Sequence, residues 1–299
     1  MKNLIAYKTG IEHTDCIVEA FSNSINKHIK NYSSSIFHIS EFLKNGIPKD
    51  ADGVITFGIL RGTGHLLKQA AKMNIDRYFI DHAYFDAGYH GDWWVRISKN
   101  KHTMNYVREV SDFRWKNFFS QKHPIMPWKT SQERGGNILI IPPTSAICWY
   151  FNENEWQDNI LNYLENNLSK ESFNKVKIRG KPKEPIVDKN GKYLGLKVNE
   201  DVQNNPLEDD LNNSSIVIAY NSQVAIDASL KGLPVIVNQH NPCNTLSFKL
   251  SDLKDGIHNP AFDQEPNRKK LFKWLSYCQF KFSEIKSGFA WKTISNFQI

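Results

Sequence analysis

Apolar and polar positions along this chain fall into short runs whose period switches between strand-like and helix-like. Residues 3–7 carry the unbroken run Leu4-Ile5-Ala6, and residues 15–29 place Ile17, Val18, Phe21 and Ile25 at helical spacing. The spacing predicts strand then helix. The same alternation continues with strands at 35–39, 54–57 and 77–80 and a helix at 65–73, the third strand introduced by the Asp52-Gly53 turn. Strands alternating with helices imply a parallel sheet with right-handed crossovers, whose sites gather at the strands' carboxyl ends. The second half repeats the pattern: strands at 137–141, 176–179, 216–219 and 235–237, with helices at 155–168, 206–213 and 223–230. Residues 183–203 are polar and are expected to be irregular. Two closing helices are expected at 268–277 and 282–297.

The densest signal lies in 214–238, SSIVIAYNSQVAIDASLKGLPVIVN. Ile216 to Ala219 form a strand suited to burial on both faces, Tyr220-Asn221-Ser222 turn, and Ser222 is a suitable helix N-cap. Lys231-Gly232 suit the helix C-terminus, and Pro234 blocks its continuation. A helix opening at the carboxyl end of a parallel strand offers N–H groups to an anion such as a phosphate, although the same pattern serves an ordinary βαβ unit. Earlier, GILRGTG places Gly58, Gly62 and Gly64 after the third strand without matching GxGxxG or the Walker pattern. Arg61 within that turn is a candidate anion contact.

Composition narrows the class. The 299 residues suffice for two domains, and 40% hydrophobic with 12% aromatic content excludes a disordered chain. No apolar run approaches the roughly 18 residues that span a bilayer, and MKNLIAYKTG turns polar too soon for a signal peptide. Cys16, Cys148, Cys243 and Cys278 stand far apart, so neither a disulfide framework nor a zinc site is expected, and a cytoplasmic setting fits. The formal net charge is +7. Much of it sits in 89–134, where nine Lys or Arg face four acids for a net +5, and eight of the stretch's aromatics are interleaved with those cations: Trp93, Trp94, Tyr106, Phe113, Trp115, Phe118, Phe119 and Trp128. Cations for phosphates beside rings for bases suit a nucleic-acid surface, while inward-packed rings with solvated cations are the structural alternative. Gly135-Gly136 reads as a hinge, giving domains at 1–134 and 135–267 with a closing segment at 268–299.

Three stretches carry a family resemblance: KIRGKP at 177–182, PLEDDL at 206–211, and the strand-turn-helix-strand of 214–238. They resemble the donor half of GT-B glycosyltransferases, in particular the capsule-polysaccharide type and small bacterial and phage relatives; VITFGILRGTG, YFIDHAYFD and FSEIKSGFAW are similar to those relatives too. The resemblance implies an α/β fold of two Rossmann-like domains facing a cleft, with a nucleoside-diphosphate sugar such as a UDP-sugar as co-substrate and no cofactor. Asn221 and Ser222 would then hold the diphosphate, with Arg179 and Lys181 neutralising it, Thr144 and Ser145 beside it, and Asp227 reaching a donor hydroxyl. The donor half has no Asp-x-Asp triplet, so cations and dipoles are expected to stabilise the leaving group in place of a metal.

Asp81 and His82, ending the fourth strand, are the candidate catalytic pair, because a carboxylate or imidazole there can take a proton from an acceptor hydroxyl. His13, His65 and Asp86 compete for that role. Acceptor contacts are expected from Arg61 and His13 and, in the basic segment, from Arg114, Trp115, Lys116 and Lys122. The favoured acceptor is a hydroxymethylated pyrimidine in phage-type DNA, reached by base flipping. A surface polysaccharide acceptor, or a non-catalytic nucleotide- or carbohydrate-binding protein, are the alternatives.

Overall fold

A computed structural model describes residues 1–88 and 91–297, so the first two positions of the basic segment lie outside the described residues. The chain divides into two units, Met1–Met104 with Leu275–Ile299, and Asn105–Trp274.

The first unit begins β1 (Lys2–Lys8), α1 (Glu12–His28), β2 (Tyr32–His38), α2 (Ile39–Asn45), β3 (Gly53–Phe57), α3 (Thr63–Lys72), β4 (Asp76–His82) and β5 (Trp94–Lys99). β2, β1, β3 and β4 pair in parallel in that spatial order, with Ile5 opposite Val54 and Ile55 opposite Tyr78. The helical spacing of α1 has a direct consequence: Ile17, Val18, Phe21 and Ile25 are all buried. β5 continues the sheet antiparallel to β4.

The second unit contains β6 (Asn137–Ile141), α4 (Ser145–Phe151), α5 (Trp156–Asn167), α6 (Lys170–Phe173), β7 (Val176–Ile178), β8 (Lys183–Val187), β9 (Tyr193–Val198), α7 (Glu200–Asn204), α8 (Leu207–Asn212), β10 (Ser214–Ala219), α9 (Val224–Leu230) and β11 (Val235–Val237). Its parallel sheet runs β11-β10-β6-β7, and every residue of β10 is buried, as a strand covered on both faces requires. β8 and β9 form a separate antiparallel hairpin. Residues 183–203 are therefore not irregular. The Asp188 carboxylate accepts from the backbone N–H of Asn190 and Lys192, closing an Asx-type turn between the strands.

The chain ends with α10 (Arg268–Tyr277), β12 (Gln279–Lys281), α11 (Phe282–Lys286) and α12 (Phe289–Phe297). β12 pairs with β5, and Trp291 of α12 meets the rings of Phe21 and Tyr78, so the closing segment from Leu275 onward belongs to the first unit, while its start at 268–274 belongs to the second. The helix expected at 282–297 is broken at Gly288, which adopts φ +77°.

The boundary between the units lies at Met104/Asn105, not at Gly135-Gly136. The reason is apolar burial by the residues between. Trp115 and Phe119 are 4% and 1% exposed, and Trp115 stacks on Phe272 with ring centres 5.7 Å apart. Arg134 is buried, donating to the carbonyls of Phe262 and Ile257 and pairing with Asp263 at 3.2 Å. Gly135 is no hinge, because a Cβ there would lie 2.2 Å from the Asn213 carbonyl group.

The same segment is clamped to the end of α9, with Met126 N–H donating to Leu230 O and Lys129 N–H to Gly232 O. Gly232 has φ +78°, and a Cβ on it would lie 2.1 Å from Pro127 O. Gly232→Ala is expected to destabilise the protein by about 2 kcal/mol or more, from left-handed strain plus the clash. A denaturant midpoint equal to that of the wild type would refute this packing.

Candidate functional site

Each unit presents a place where strand order reverses, the position at which open α/β sheets bind ligands. In the second unit, β6 is flanked by β7 on one side and β10 on the other. Ala219 pairs with Ile141, so the loops leaving β6 and β10 start side by side.

The loop after β6 reaches Thr144, which caps α4 by accepting from the N–H of Ile147 at 3.4 Å. Ser145 is committed elsewhere: its hydroxyl donates to Pro185 O and accepts from Val187 N–H, fastening the hairpin. After β10, Asn221 and Ser222 form the turn. Ser222 does not cap α9 as expected; Gln223 is the cap residue, and Ser222 Oγ accepts from Val224 N–H at 3.3 Å within the loop. The loop after β11 adds a buried residue that local pattern did not single out. Asn241 donates from Nδ2 to Ser222 O at 3.1 Å and accepts at Oδ1 from Cys243 N–H, tying two of the three loops together.

Aromatic rings stand behind these loops. His240 stacks on Phe151 with centroids 4.1 Å apart, and Tyr220, the first residue after β10, packs against Phe151 and Trp156. Burial lowers the His240 imidazole from its ordinary value, with Glu153 opposing. The Tyr220 hydroxyl is buried and has no hydrogen-bond partner among the described residues, and burial raises its pKa strongly. An orphaned buried hydroxyl at a strand-order reversal is a polar group short of a ligand or water.

The expected cations divide. Arg179 is buried with its guanidinium engaged by Asp210 and by the carbonyls of Asn205 and Val202, so it shapes the loop before α8 instead of presenting charge. Lys181 is exposed. Asp227 is raised by burial, which outweighs His123 and Lys231, and it lies in the first turn of α9's seven residues.

In the first unit the reversal falls between β1 and β3. Thr9 and Gly10 N–H both donate to the Asp15 carboxylate at 2.9 Å, and Thr63 Oγ1 donates to Gly58 O and Leu60 O. His13 and Arg61 are exposed at the elements that follow these two strands. Arg114, Trp115, Lys116 and Lys122 belong to the other unit. Of these, Arg114 and Trp115 are buried, whereas Lys116 and Lys122 are exposed. Trp93, Trp94 and Arg96 are buried too. Four of the segment's eight named rings, Trp93, Trp94, Trp115 and Phe119, are thus core, and Arg96, Arg114 and Arg134 are buried with them, whereas Phe113 is exposed.

Asp81 and His82 end β4 and have different surroundings. Asp81 pairs with Arg96 at 2.9 Å and lies 3.5 Å from His102 Nε2. Burial pushes its carboxyl up, but Arg96, His82 and His102, with the His82 backbone N–H, more than offset this and hold it at about 2. So low a value makes a weak proton acceptor near neutrality. His82 is exposed, its ring edge-on to Phe57 at 5.8 Å. An Asp-x-Asp triplet does occur at Asp50-Ala51-Asp52, but it lies before the amino end of β3, where both carboxylates accept from Asn3. No helix among the described residues is long and apolar enough to cross a membrane.

No family model and no curated protein matches the chain. Among solved structures it is similar to two transferases of Thermosulfurimonas dismutans KpsC. To the beta Kdo 2,4 transferase the identity is 11%, over 93% of this chain and 91% of that one, with TM-score 0.48. To the beta Kdo 2,7 transferase it is 9%, over 97% and 100%, with TM-score 0.46. The UDP-GlcNAc 2-epimerase of Methanocaldococcus jannaschii, solved with UDP-GlcNAc and UDP, is similar at 13% identity over 99% and 100%, with TM-score 0.28. The fold itself is the expected α/β class, with two Rossmann-like units each built around parallel strands.

The Asp81 environment predicts a pH signature. Its folded pKa lies below its ordinary 3.8, so its stabilising contribution is complete above about pH 5 and is lost as pH falls from about 4 toward 2. That contribution is on the order of 2 kcal/mol. Asp81→Asn should lose correspondingly less stability across this window, measured as denaturant midpoints at a series of pH values. Parallel acid profiles for the two proteins would contradict the pairing.

Proposed function

We propose that this chain is a glycosyltransferase that moves a sugar from a nucleoside diphosphate, a UDP-sugar in the first instance, to an acceptor hydroxyl. One observation supports it above the others: the loops leaving β6, β10 and β11 lie at a strand-order reversal, where Asn241 ties to Ser222 and the Tyr220 hydroxyl has no hydrogen-bond partner among the described residues. Thr144, Asn221 and Ser222 supply hydroxyl and amide groups for the diphosphate, and the exposed Lys181 supplies a cation. The stacked His240 and Phe151 rings offer an apolar wall.

In the reaction, the acceptor oxygen forms the bond to the anomeric carbon while the bond from that carbon to the diphosphate oxygen breaks. The acceptor proton passes to a base, and the nucleoside diphosphate leaves with its added charge met by Lys181 and the loop donors. His82 is the base in this proposal, and Asp81 is a positioning residue that holds the end of β4 through Arg96 and the His82 N–H. The acceptor is a glycan hydroxyl in preference to a DNA base in this proposal, because four of the eight rings that would stack on bases, Trp93, Trp94, Trp115 and Phe119, are buried.

Two measurements test the proposal. Thermal shift should rise with UDP or a UDP-sugar, by the linkage of ligand to the native state, and Asn241→Ala should diminish that rise. His82→Ala should keep the nucleotide-dependent shift while turnover falls on the order of 10² or more. Absence of any nucleotide-dependent shift would defeat the donor assignment, and a fully active His82→Ala would defeat the base. Transfer to hydroxymethylated DNA and not to a glycan would overturn the acceptor preference.

A further inference from the structure

The hairpin of β8 and β9 combines two features that the transfer reaction does not use. Along β9, Leu194, Leu196 and Val198 are 61%, 60% and 51% exposed, while the alternate positions Tyr193 and Gly195 are half-buried. Pro185 stands opposite Leu196, and Lys183 stands opposite Val198, so they share that outward face. The hairpin is held by its other contacts: Ser145 bridges Pro185 and Val187, and Gly191 lies against Trp149. Three large aliphatic side chains therefore face solvent from a secured ribbon, where a buried face would be expected.

Charge identifies the occupant. Residues 175–198 contain eight Lys or Arg and two acids, a net +6, comparable to the whole chain's +7. Arg179 is engaged by Asp210 and Lys175 by Glu171, but Lys177, Lys183, Lys189, Lys192 and Lys197 are exposed. A second copy of the chain would bring two such basic faces together against their repulsion, whereas an anionic surface complements them.

We propose that this hairpin docks the protein on an anionic lipid bilayer, Leu194, Leu196 and Val198 entering the acyl boundary and the surrounding lysines meeting the headgroups. Shallow insertion of apolar side chains ringed by cations is how interfacial segments bind without spanning the membrane. It is independent of the glycosyltransferase reading, since vesicle binding needs neither donor nor turnover.

The test is co-sedimentation with vesicles of phosphatidylcholine alone and of phosphatidylcholine mixed with phosphatidylglycerol in equal parts. Wild-type protein should bind the mixed vesicles and not the neutral ones, and high salt should weaken the binding. L194S/L196S should weaken it at least about tenfold by removing inserted apolar area. Lys183→Ala should weaken it about fivefold by removing one headgroup contact. Both variants change exposed positions, and an unaltered thermal midpoint verifies that they fold. Failure of the wild type to bind mixed vesicles, or full binding by folded L194S/L196S, would overturn the proposal. So would self-association abolished by the same leucine substitutions, which would assign the face to a second copy.

Discussion

The second unit depends on one pairing, the parallel register of β10 on β6. All six residues of β10 are buried, so the strand cannot shift without exposing apolar side chains on one face or the other. The register sets Ile218 opposite Ile140 and Ala219 opposite Ile141, which starts both outgoing loops at the same level. With β7 on the far side of β6, the chain must cross back to place β10, and that return creates the strand-order reversal. The polar loop residues are consequences of this arrangement. Asn241, fully buried, then locks the loop after β11 to Ser222 in the loop after β10, so two separate stretches of sequence are joined beside the loop that leaves β6.

Local pattern revealed those parts of the fold that local energetics decides. The strands β1, β3, β4, β6, β10 and β11 and the helix α1 were legible because apolar runs and helical spacing each bury a defined face. The hairpin at 183–198 escaped because Pro185 and the lysines obscure the alternation, although Asp188 to Gly191 carried a usable turn signal. The closing segment was seen as helical, but nothing local shows that β12 would pair with β5 and return to the first unit.

The candidate site was legible in outline only. The turn at Asn221 and Ser222 was visible, whereas its tie to Asn241 depends on residues brought together by folding. Arg179 looked like a phosphate cation because its partner, Asp210, lies 31 positions away. Which parts of the basic aromatic segment pack inward was hidden for a related reason: cations alternate with rings in the sequence, and only the fold decides which rings gain from burial. Trp93, Trp94, Trp115 and Phe119 pack inward, and Arg96, Arg114 and Arg134 go with them. Asp81 and His82 show the complementary effect, adjacent residues separated in chemistry because the β4–β5 register gives Arg96 to one of them.

The central claim is that the rim formed by the loops after β6, β10 and β11 holds a nucleoside diphosphate. Amide hydrogen exchange with and without UDP tests it most directly, since a bound ligand suppresses the local opening that exposes amides. Slowed exchange concentrated at residues 144–147, 221–225 and 238–243 is the result the account predicts. Binding of UDP with protection confined to other segments, leaving these loops unchanged, would contradict it.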